Sequence, residues 1–127
     1  MLSQSSSCLT LHDFHFWVHL GDSEQERFHA QKVSATVKIA FTNNPLAEQT
    51  DNLDDTVCYL KLCQALQADV DQNHYELIEK LCRSFFNIVS QHIPKHCKAQ
   101  VKLLKLTPPI KNSYNNGVSY TCGDWID

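Results

Sequence analysis

Residues 32–42, "KVSATVKIAFT", alternate cleanly: Val33, Ala35, Val37, Ile39 and Phe41 fall on one side, Lys32, Ser34, Thr36, Lys38 and Thr42 on the other. A period of two predicts a strand with one face on a core. Residues 9–20, "LTLHDFHFWVHL", are rich in aromatic, β-branched and leucine side chains and predict a second strand. The segment between them, "GDSEQERFHAQ", is too long for a tight turn and too charged for a core, so it should be a loop closing a hairpin. Further on, Tyr59, Leu62, Cys63, Leu66 and Val70 recur at helical intervals and predict a helix over 55–71. Asn73 followed by Glu76 has the spacing of a capping box and predicts a second helix starting there. That helix would carry Leu77, Ile78, Leu81, Cys82, Phe85, Phe86, Ile88 and Val89 on a broad apolar face and end at Pro94. Two more strands are expected at 99–105 and 117–122, separated by Pro108-Pro109 and the polar turn "NSYNNG".

The order β-β-α-α-β-β predicts an α+β domain: two hairpins in one four-stranded antiparallel sheet, with both helices on one face. Such a sheet leaves its other face and its edges open, and an oligomer would hide them. We expect one domain across residues 1–127, loose over residues 1–8.

Charge and composition narrow the function classes. A net charge of −3 argues against nucleic acid as a partner. No apolar run is long enough to span a bilayer, and "MLSQSSSCLT" lacks the pattern of a secretion signal, so no membrane partner and a cytoplasmic location are expected. The six cysteines then read as free thiols. His12 differs in parity from His15 and His19, and His92, His96 and Cys97 lack a further ligand at a suitable interval, so no metal site is expected.

Four polar residues are conspicuous by position. The row Ala99, Val101, Leu103 ends in Lys105. Glu79 borders the apolar stripe of the second helix, Tyr59 opens the first, and Glu26 lies in the charged loop. Each has an ordinary reading: a snorkelling strand-end lysine, a helix carboxylate paired with Arg83, a core tyrosine with its hydroxyl outward, a solvated loop glutamate.

The stretches "DNLDDTVCY" (51–59), "YELIEKL" (75–81) and "KLTPPI" (105–110) together resemble the dihydroneopterin aldolases of folate biosynthesis, and Gly21, Glu26 and Gln31 match that family's loop. The resemblance covers about residues 9–122. It implies the tunnelling fold (T-fold), in which four sheets close into a barrel, as a homo-tetramer or a homo-octamer of two rings, with sites at subunit interfaces. It implies a pterin substrate, 7,8-dihydroneopterin, cleaved by retro-aldol chemistry to 6-hydroxymethyl-7,8-dihydropterin and glycolaldehyde without a cofactor. By the matched motifs, Glu79 would hold the pterin edge with backbone groups near Ile78 and Val57. Lys105 would move protons, Glu26 would grip the side-chain hydroxyls, and Tyr59 would face the ring or side chain from a neighbouring subunit. Leu20 and Lys111 depart from the family pattern. An epimerase of the same fold, an aldolase with added epimerase activity, and a non-catalytic pterin- or purine-binding oligomer are the alternatives.

Overall fold

A computed structural model describes residues 6–106 and 117–127. Strand β1 (Ser7–Val18) pairs antiparallel with β2 (Gln31–Phe41), β2 with β3 (Lys98–Lys105), and β3 with β4 (Val118–Gly123). The sheet order is β1-β2-β3-β4, one of those that two hairpins in one sheet allow. The charged loop contains a one-turn helix, α1 (Glu24–Arg27), and a second short helix, α2 (Ala47–Thr50), follows β2. Two long helices, α3 (Tyr59–Gln72) and α4 (Ile78–Gln91), cover one face. No helix among the described residues is long and apolar enough to cross a membrane.

The alternation read from β2 is the one that builds the core. Val33, Ala35, Val37 and Ile39 meet Ala99, Val101 and Leu103 across the sheet and Leu62, Leu66, Leu81, Phe85 and Val89 from the helices, all nearly solvent-free. Phe16 and Phe85 pack edge to face with centroids 5.2 Å apart, joining β1 to α4.

Three local expectations need correction. The first long helix starts at Tyr59, not 55; a 3-10 turn at Leu53–Asp55, capped by the Asn52 side chain on the Asp54 N–H, precedes it. Asn73 does not open α4. Its amide donates to the Asp69 carbonyl and closes α3, while α4 starts at Ile78. A bulge lies between Leu11 and Phe14, with Asp13 in the left-handed region at φ 51. One extra residue resets the phase of the strand, so parity does not separate His12 from His15. Among the described residues no three His, Cys, Asp or Glu side chains converge as metal ligands would.

Phe85→Ala should cost about 3–5 kcal/mol of stability, because it removes a fully buried ring from a packed layer. Chemical denaturation of the variant checks this, and a loss under about 1 kcal/mol would mean that the core is not packed as described.

Candidate active site

The lysine that ends the apolar row of β3 finds a carboxylate. Lys105 sits opposite Val33 in the ladder, on the helix-facing side of the sheet. Its Nζ lies 2.7 Å from Glu26 Oε2, and the two side chains are only 13% and 21% exposed. An ammonium at the end of a buried row would be costly alone, and the glutamate from 79 positions earlier in the chain neutralises it. This is a charge-assisted hydrogen bond in a half-dry setting.

The loop is built to deliver that carboxylate. Ser23 caps α1 by accepting the Glu26 N–H at 3.1 Å, which starts the turn that carries Glu26. Gly21 lies beneath: a Cβ there would overlap the Glu26 side chain, so only glycine leaves the room. Gln31 donates from Nε2 to the Leu20 carbonyl and, at 3.4 Å, to Glu26 Oε2. Its Oε1 is buried with no partner among the described residues, an acceptor left facing this polar corner. Gly21, Glu26 and Gln31, five residues apart in sequence, are therefore one contact group. Gln31 carried no role in the sequence reading; the signal available was its spacing from Glu26.

Burial pushes the Glu26 carboxyl up, but the hydrogen bonds from Lys105 and Gln31 and the lysine's charge outweigh it, and the group titrates below its ordinary value of 4.5.

A second tie brings α4 toward this corner. Tyr75 donates its backbone N–H to the His19 carbonyl at 2.9 Å and accepts from the Gly21 N–H at 3.0 Å, a one-residue parallel bridge beside Leu20. The Tyr75 hydroxyl donates to Asp69 at 2.7 Å; burial and that carboxylate push its pKa up to about 12, so it stays a donor. Just beyond, Ile78 packs on the core and Glu79 opens the first turn of α4. Glu79 is exposed and makes no hydrogen bond or ion pair with other described residues. Arg83, its expected partner, lies over the Phe86 ring at 5.2 Å instead.

Val57 and Tyr59 are elsewhere. Val57 is buried, Tyr59 is 55% exposed, and Thr56 just before them shares a cavity of about 380 Å³ with Phe41, Leu46, Pro94 and His96. That cavity lies where β2 ends, whereas Lys105 pairs near where β2 begins. Eight residues of strand from Val33 to Phe41 separate the two ends by about 26 Å. The predicted site residues thus divide into Lys105 and Glu26, with Glu79 beyond the Tyr75 tie, at one end of the sheet and Val57 with Tyr59 at the other. Pro108-Pro109 and Lys111 lie outside the described residues.

The model of the dihydroneopterin aldolase (FolB) family matches residues 9–122 of this chain. The chain belongs to that family. A Chlamydia trachomatis protein named a probable dihydroneopterin aldolase is 34% identical over 107 residues, covering 80% of this chain and 83% of the relative. The E. coli dihydroneopterin aldolase solved in complex with neopterin superposes with a TM-score of 0.75 at 18% identity, over 92% of this chain and 99% of that one. The Burkholderia thailendensis enzyme bound to guanine does so with a TM-score of 0.69 at 21% identity, over 99% and 95%. The tunnelling fold of the family is therefore the fold of this chain, and dihydroneopterin aldolase, a lyase activity, is the family's function.

Two measurements bear on the loop. Gly21→Ala should displace Glu26 and weaken its bond to Lys105, seen as a chemical-shift change at the Glu26 carboxyl. An unchanged signal would remove the steric argument. The Glu26 carboxyl should also titrate below 4.5. A depressed folded-state pKa gives stability that is complete above the unfolded carboxylate value and is lost as pH falls through the folded one. Acid unfolding of wild type compared with Glu26→Gln checks the sign: wild type should lose its advantage only below about pH 4.5.

Proposed function

We propose that the Lys105–Glu26 corner carries the retro-aldol cleavage of 7,8-dihydroneopterin, in a site completed by a second copy of the chain. The observation behind this is the pair itself: a lysine and a carboxylate held 2.7 Å apart at the end of a buried row, beside a Gln31 acceptor that has no partner among the described residues. Glu79, free of other described partners at the start of α4, is suited to receive the amino group and ring N–H of a pterin in a bidentate contact. The backbone of Ile78 and, from the second copy, that of Val57 complete that edge in the proposed complex.

The chemistry asks little of the protein beyond proton handling. A proton leaves a side-chain hydroxyl, the adjacent C–C bond breaks, and the electrons move into the pterin's own N5=C6 imine. A proton returned to the pterin then gives 6-hydroxymethyl-7,8-dihydropterin, with glycolaldehyde as the other product. Lys105 moves the protons, directly or through a water, and Glu26 holds the side-chain hydroxyls against it. The reaction requires neither a metal nor a lysine Schiff base, because the substrate supplies the electron sink.

Tyr59 sits at the far end of the sheet within its own chain, so its place in this site is best met by a neighbour. The open edges of β1 and β4 favour a closed ring of four sheets, alone or stacked as two rings.

The direct test is metal-free incubation with 7,8-dihydroneopterin and chromatography of the pterins. Both cleavage products should appear, and Lys105→Ala should lower kcat by about 10²-fold or more while the pterin still binds. Formation of the monapterin isomer alone would assign epimerisation instead. For the shared site, Lys105→Ala and Tyr59→Ala chains, each inactive, would be unfolded together and refolded. If each site draws on two chains, about a quarter of the sites in the mixed assembly regain both side chains. No recovery would place both residues in one chain's site.

A further inference from the structure

We propose that Arg27 is a positioning residue for this reaction, one that sets Glu26 against Lys105 without touching the substrate. The proposal rests on the functional reading above. Arg27 follows Glu26 directly and closes the loop in three ways. Its Nη1 donates to the Gly21 carbonyl at 2.8 Å, spanning the loop from its last helical residue back to its first glycine. The same nitrogen lies 3.6 Å from Glu76 on the segment leading to α4. Its own carbonyl is 2.7 Å from His19 Nδ1. A carbonyl only accepts, so Nδ1 carries the proton and donates. The His19 ring is in turn stacked on His74, with centroids 4.4 Å apart and planes 27° off parallel.

These contacts differ in weight. The Glu76 side chain is 71% exposed, so that ion pair contributes little by itself. The Gly21 and His19 bonds are partly buried and hold Arg27 at two points, its guanidinium and its carbonyl, so together they leave the residue next to Glu26 little freedom. Glu26 needs that restraint. α1 is a single turn with no buried residue of its own, and a four-residue helix does not hold its shape in water. Ser23 fixes where the helix starts, Gly21 makes room for the side chain, and Arg27 with His19 fixes where the helix stops. The Tyr75 backbone bonds to Gly21 and His19, the residues that receive and make the two ties. The Tyr75 bridge runs from backbone to backbone and does not use the Arg27 side chain, so the turn from which Glu79 starts has its own support.

A clamp of this kind acts on turnover more than on ligand affinity, because a misplaced catalytic group costs rate while the pterin edge is still held. Arg27→Met keeps the length and loses the N–H donors, and we expect kcat to fall about 10-fold or more. The binding of guanine, a probe with the same edge and no side chain for Glu26 to hold, should change by less than about 3-fold. Arg27→Lys, which can still donate to Gly21, should recover most of the loss. His19→Asn, whose amide can stand in for Nδ1–H, should outperform His19→Ala. Amide hydrogen exchange at residues 22–27 should quicken in Arg27→Met. Wild-type kcat in Arg27→Met would overturn the proposal, as would kcat and guanine binding falling together with no rescue by lysine. A wild-type protein that cleaves no dihydroneopterin would instead defeat the functional reading, and the exchange rates alone would then judge the clamp.

Discussion

A charged group at the end of a buried row must be answered by another, and most of the site follows from that constraint. Lys105 continues the helix-facing side of β3, where Ala99, Val101 and Leu103 are fully buried. Left alone it would pull the strand end toward water. The 21–31 loop supplies the answer, and its composition makes sense only in that light: a serine to start a turn, a glycine to leave space, a glutamate to pair, a glutamine to brace it. The pair then does more than offset desolvation. It leaves a proton-moving group and an acceptor side by side at a surface, which is a small step from acid–base chemistry.

Where the chain's own periodicity sets the structure, the sequence was a good guide. The β2 alternation and the apolar stripes of α3 and α4 match most of the observed burial; the exceptions are Leu77 and Tyr59, at the starts of α4 and α3, which are 53% and 55% exposed, and Ser34, which is buried. Where a distant partner sets it, the sequence misled. Asn73 and Glu76 have the spacing of a capping box, but Tyr75 between them is drawn into an extended bridge with Leu20, so no helix can start there. The same signature, Ser23 to Glu26, marks a real helix in the loop that we expected to be irregular. Two copies of one local pattern had opposite outcomes, and the difference lay in long-range pairing that no window of sequence contains.

The candidate site shows the same division. Lys105 stood out because it violates a pattern, whereas the role expected of Glu26 came only through the resemblance to a family. Arg27 left no signal: an arginine in a charged loop is unremarkable until its bonds are seen. Tyr59 was visible as a helix residue with an outward hydroxyl, but only the length of the sheet shows how far it lies from Lys105.

The pleat of β3 has a consequence for how this gene can drift. Successive residues on a strand point to opposite faces. Losing or gaining one codon between those for Ala99 and Leu104 would therefore turn Lys105 to the open side of the sheet and bring an uncharged or wrongly placed neighbour to Glu26. A change of two residues would keep the face and spoil only the reach. The loop from Gly21 to Gln31 answers to its caps and ties instead, so its length is not held to a parity. Indels fixed over evolutionary time should be scarce and even-numbered in the strand, and freer in the loop wherever its ends are preserved.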